Sequence, residues 1–184
     1  MGLFSFFKKA PTFTADDAVQ HEHPLLEIAG IVSGHDKAVI AEARACIENP
    51  LAYYLEHLTD DAKDEICDSP ALMRWLGVID ILKRHQYACE CDWKEAKDDF
   101  LWQLRALKNV QSLSVNDAWL DANEDIPTWC EVLEQKWKKH HTMVAAFDTD
   151  SDSYVLFVCT TGTLAHLKSL AEKIGNRIDD ATNM

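Results

Sequence analysis

The chain has 184 residues, enough for one domain with its own core, and it is 47% apolar and 27% charged, a balance that excludes disorder. The formal net charge is −13, from 31 acidic against 18 basic side chains, so the positive field needed for general binding to nucleic acid or anionic membranes is missing. No apolar run approaches the roughly 18 residues of a membrane span, which leaves plain solubility, a cation or a basic protein partner as what the charge can serve.

The opening MGLFSFFKKAPTF places its lysines after a short apolar run, the reverse of a secretory signal, and Phe6 stands where a myristoylation pattern wants Ser or Thr. Residues 1–13 are expected to form a flexible or docked terminus. Thr14, with Asp16 and Asp17 behind it, is expected to cap a helix that Pro24 interrupts. The apolar stretch Leu25 to Val32 ends at Ser33-Gly34. Asp36 then opens a helix with Val39, Ile40, Ala43 and Ile47 on one face, closed by Asn49-Pro50. A short helix with Leu51, Tyr54 and Leu55 follows, then an acidic one from Thr59. Ser69-Pro70 starts the next, whose core-facing stripe is Leu72, Trp75, Leu76, Ile79 and Leu82.

The second half changes character. QYACEC, residues 86–91, alternates and predicts a strand. Asp92 with Glu95 three residues on is a capping box, expected to open a helix carrying Trp93, Ala96, Phe100, Leu101, Leu104 and Leu107 inward. Residues 109–126 are irregular. Asp125 and Pro127 start a helix with Trp129, Val132, Leu133 and Trp137 inward, and its basic end, KWKKHH, complements the helix dipole. MVAAF and YVLFVC predict two strands, the second apolar on both faces and therefore covered on both sides. Thr160 or Thr161 is expected to cap a last helix with Leu164, Leu167, Ala171, Ile174 and Ile178 inward. These elements predict an α+β fold in a single domain, 1–184. A helical half, 14–85, packs with a small antiparallel or mixed sheet and C-terminal helices, 86–178.

Six cysteines sit mostly in apolar stretches: Cys46, Cys67, Cys89, Cys91, Cys130 and Cys159. Their spacing fits no zinc ribbon or finger, although Cys89 and Cys91 would point the same way from a strand. The usage suits a reduced, cytoplasmic protein without a metal centre or cofactor. No P-loop, dinucleotide-binding glycine pattern, nucleophile elbow or HExxH motif is present, and no catalytic residue is assigned. The pairs His21/His23 and His140/His141 could join carboxylates in a site, but the favoured reading is solvated pairs.

Chemistry therefore concentrates on FDTDSDSYVLFVC, residues 147–159. Asp148, Asp150 and Asp152 fit the first three ligand positions of an EF-hand loop, but Ser153 replaces its glycine and Cys159 its bidentate glutamate. A loose cation site or a carboxylate pair for acid–base work stays open. The reading that fits the flanking strands is a hairpin turn, because Asp and Ser accept backbone amides and tolerate unusual backbone angles.

That hairpin with its closing helix resembles the C-terminal signature of a family of uncharacterised bacterial domains of unknown function. ECDWKEAKDDFLWQL, residues 90–104, resembles the same family's strand–Asp–Trp–Lys–helix element. The resemblance covers residues ~85–178 and implies no activity. A looser likeness is to SMI1/KNR4-type proteins, whose members often serve as immunity proteins, although the Gly-rich turn expected there is missing.

The first functional expectation is an acidic, non-enzymatic protein of immunity or inhibitor type. It would bind a basic partner (a toxin or an assembly subunit) through Asp148, Asp150 and Asp152, with Asp60, Asp61, Asp64 and Glu65 as a second patch. The alternatives are a cation- or small-ligand-binding module, and an enzyme without a recognisable motif.

Overall fold

The computed structural model describes residues 23–57 and 69–184. The helices expected from Thr14 and Thr59 lie outside the described residues.

Four helices make up the described N-terminal part: α1 (Pro24–Val32), α2 (Lys37–Glu48), α3 (Pro50–His57) and α4 (Pro70–Arg84). Pro24 opens α1 rather than interrupting a helix, because the first helical N–H has no intrahelical acceptor to lose. His23 caps it, Nδ1 accepting from the Leu25 N–H at 3.2 Å. Asp36 caps α2 by accepting from the Ala38 N–H, and Ser69 caps α4 by accepting from the Leu72 N–H. On α4, Trp75, Ile79 and Leu82 are buried as their spacing predicts, and so are Met73, Val78 and Ile81. Leu72, by contrast, is 39% exposed on the first turn, and Leu76 is half-buried.

The sheet holds β1 (Ala88–Asp92), β2 (Thr142–Phe147), β3 (Ser153–Thr160) and β4 (Ile178–Asp180) in the order β1-β3-β2-β4, with every pair antiparallel. β2 and β3 form the predicted hairpin, with Phe147 opposite Val155 and Val144 opposite Val158. The double-sided apolar pattern of β3 has a direct cause. Val155 and Phe157 enter one core with α1, α2, α4 and the helix α7 (Thr161–Lys173), while Leu156 and Val158 enter another with α5 (Lys97–Ala106) and α6 (Ile126–Trp137). The fold is α+β, with the antiparallel sheet between two helical layers.

Three elements differ from expectation. α5 starts at Lys97, not at Asp92, and Ala96 gives it no side-chain cap. The Asp92–Glu95 pairing does form, Glu95 accepting from the Asp92 N–H at 3.2 Å, but it closes a turn at the end of β1. Trp93 is consequently 53% exposed instead of inward. α7 ends at Lys173 and Gly175 follows at φ +76°, so Ile178 belongs to β4 and fills the core from a strand.

Buried aromatic area dominates both cores, each fully buried large side chain contributing roughly 1.5–3 kcal/mol. The three most buried tryptophans all satisfy their indole N–H groups. Trp75 donates to the Asp148 carbonyl, Trp129 to that of Asp121 and Trp137 to that of Ser114, at 2.7–2.8 Å.

Candidate functional site

The hairpin loop, residues 148–152, is built from its backbone outward. Trp75 pins its base through the Asp148 carbonyl, and the Asp148 N–H donates to the Arg177 carbonyl at 3.0 Å. Asp148 Oδ1 then accepts from the Asp150 N–H at 3.0 Å, an Asx turn that carries Asp150 into the left-handed region at φ +55°. Ser151 Oγ lies 2.9 Å from Thr149 Oγ1 and accepts from the Ser153 N–H. The aspartates and serines thus do the turn-forming work expected of them.

The carboxylates diverge. Asp148 is half-buried with Arg177 Nη1 3.9 Å away, and Arg177 also reaches Asp179 at 3.2 Å. Asp150 and Asp152 point to solvent as exposed residues. Among the described residues, no group of three or more His, Cys, Asp and Glu side chains is gathered closely enough to hold a metal ion.

Beside the loop lies a cleft of about 360 Å³, bounded by Asp148, Asp152, Trp93, Tyr154, Arg177 and Met184. Lys94 Nζ sits 4.1 Å from the centre of the Trp93 ring, on the face where an indole attracts a cation. The sequence pointed to the aspartates but not to Arg177 or Met184, which arrive from the chain's last 10 residues with no motif around them. Trp93, expected on the helix, lines the cleft from the exposed turn after β1 instead. Asp60, Asp61, Asp64 and Glu65, the second expected patch, lie outside the described residues.

Among the described residues, the cysteines offer no second site. Cys46, Cys89, Cys91, Cys130 and Cys159 are all free. Burial pushes the Cys46 and Cys159 thiols up to about 11. The Cys89 hydrogen bond, with burial, raises Cys91, and burial raises Cys130. Thiols held protonated in this way are poor nucleophiles and poor metal ligands. His85, near the Cys pair in sequence, caps α4 and binds Glu42 at 2.9 Å instead. Among the described residues, no helix is long and apolar enough to cross a membrane.

No curated protein and no solved structure matches the chain. A family model, Domain of unknown function (DUF6630), matches residues 24–181 and so takes in α1–α4 as well as the hairpin and the Asp–Trp–Lys turn. With sheet, loop and both helical layers inside that span, the chain belongs to the DUF6630 family.

Proposed function

We propose that this domain binds a basic protein partner through its aspartate loop, as an immunity or inhibitor protein does. The observation that carries the reading is the outward placement of Asp150 and Asp152 beside a cleft with an exposed tryptophan. A lysine or arginine of the partner would enter the cleft between the loop carboxylates and the Trp93 ring, displacing Lys94. Tryptophan at the centre of such a contact supplies buried area and cation–π attraction, and the carboxylates on the rim supply steering. The net charge of −13 speeds the encounter with a cationic surface and suppresses acidic competitors. Asp60, Asp61, Asp64 and Glu65, outside the described residues, are proposed as a second acidic contact patch. A toxin or an assembly subunit fits this chemistry equally.

The test is co-purification of the tagged chain expressed with its flanking reading frames, followed by mass determination of every co-eluting species. A stoichiometric basic protein is expected. Asp150→Lys with Asp152→Lys is expected to reduce its capture at least about tenfold at low salt, and less at high salt, where screening already weakens steering. Undiminished capture by the double variant removes the loop from the interface.

A further inference from the structure

The aspartate loop has another side. A second cleft, of about 370 Å³, opens there between the loop, α3, α4 and β1. That volume falls in the range of small-molecule sites. Its apolar surface comes from Leu76, Ile79 and Val155. Its wall is aromatic: the Tyr53 and His57 rings stack at 4.2 Å and 21°, and Tyr54 meets Tyr53 edge-on at 6.0 Å.

This wall is held in place before any ligand arrives. The Tyr53 hydroxyl donates to Asp80 Oδ2 at 2.7 Å and accepts from Arg84 Nη2 at 2.8 Å. Arg84 is itself fixed by Asp80 and by Glu42, at 3.1 and 2.9 Å. Behind the ring stands Gly77, where a Cβ would come within 2.5 Å of Cys46 Sγ and 3.5 Å of Tyr53. A Cβ at 77 would clash with Cys46 and come into ordinary contact with the Tyr53 ring, so the glycine has a packing reason.

The cleft also carries a charge pair, Lys83 of α4 with Glu90 of β1. Both side chains are partly exposed, at 32% and 41%, so an incoming group can reach them. A ligand with a single charge would take one member of the pair and leave the other without its partner. A ligand carrying an ammonium and a carboxylate on one carbon answers both, with the carboxylate on Lys83 and the ammonium on Glu90. The apolar and aromatic surface below then receives an apolar side chain.

We propose that this cleft binds a free α-amino acid with a large apolar or aromatic side chain. The proposal is independent of the protein partner, because its residues other than Thr149 and Ser151 lie off the Trp93 cleft.

The experiment is titration of the full chain with L-phenylalanine, phenethylamine and 3-phenylpropanoate, read by calorimetry and by amide NMR shifts. L-Phenylalanine is expected to bind and to shift the amides of Tyr53, Leu76 and Val155. The two singly charged analogues are expected to bind at least about tenfold more weakly, the loss of one charge-assisted contact. Lys83→Gln and Glu90→Gln, both near the surface, are each expected to weaken L-phenylalanine at least about tenfold with the melting temperature unchanged. Equal binding of the analogues overturns the zwitterion assignment. No shift at those amides up to about 10 mM amino acid, weaker than any useful site, overturns the cleft as an amino-acid site.

Discussion

On the sheet face covered by α1, α2, α4 and α7, Phe147 packs against Phe157 at 4.5 Å between ring centres and against Trp75 at 5.6 Å. On the face covered by α5 and α6, the same strands present Cys89, Cys91, Ala146, Leu156 and Val158, and α6 brings Cys130 and the carboxylate of Glu134. Glu134 Oε1 is buried and has no hydrogen-bond partner among the described residues. The first face takes aromatic bulk from the strands themselves, so truncating a strand residue there leaves a cavity. The second takes its bulk from the helices, as Phe100, Trp129 and Trp137, over small strand residues, and the acid at its margin adds an electrostatic vulnerability. One sheet thus carries two cores with different failure modes.

The sharpest separation of the two should come from truncation. Phe157→Ala is expected to destabilise by about 3–5 kcal/mol in urea unfolding, because the ring is fully buried and leaves a cavity. Cys91→Ala on the opposite face removes one heavy atom and is expected to cost about 1 kcal/mol. Equal losses would break the comparison. Overpacking the first core is the next effect down. Gly77→Ala places a methyl 2.5 Å from Cys46 Sγ and is expected to cost about 1–3 kcal/mol. The double variant with Cys46→Ala should recover most of that loss, measured as a coupling in a double-mutant cycle.

The electrostatic weakness of the second core appears in pH. Burial, reinforced by Asp180 and Glu131 and opposed by the Val144 amide, pushes Glu134 up from 4.5 to about 7. The folded state therefore holds this proton more tightly than the unfolded chain, so its contribution to stability is present below pH 4.5 and is lost as pH rises to about 7. Glu134→Gln should raise the melting temperature by about 2–4 °C at pH 8 and change it little at pH 4. A shift of the same size at both values would show that ionisation is not the cause. The smallest effect belongs to neither face. Asp150→Gly, at a left-handed position in the loop, is expected to stabilise by about 0.5–1 kcal/mol, and a loss of stability would mean that its side chain anchors the turn.

Elements with a long, consistent period were legible in the sequence: α2, α4, α6 and the β2–β3 hairpin all appear where periodicity and caps placed them. β4 escaped because three residues, Ile178 to Asp180, carry too little pattern to distinguish a strand from the tail of α7. The start of α5 was misplaced because an Asp-x-x-Glu pair satisfies the same backbone donors in a free-standing turn as in a helix. Leu72 and Trp93 show that an apolar residue in phase with a stripe can still face water at the end of an element. The aspartate loop was legible because its residues are contiguous. The two clefts were not, since Tyr53, Lys83, Glu90 and Ser151 meet only through folding and leave no local motif.

Thr149 and Ser151 border both clefts, so a five-residue segment is the partition between them. Its base is fastened on two sides, by the indole of Trp75 and by the Arg177 carbonyl. From that fixed base, Thr149 and Ser151 line both compartments. A substitution at either residue therefore alters the lining of both clefts at once. Variants meant to probe one cleft alone belong away from the loop, at Trp93 or Arg177 for the first and at Lys83 or Glu90 for the second.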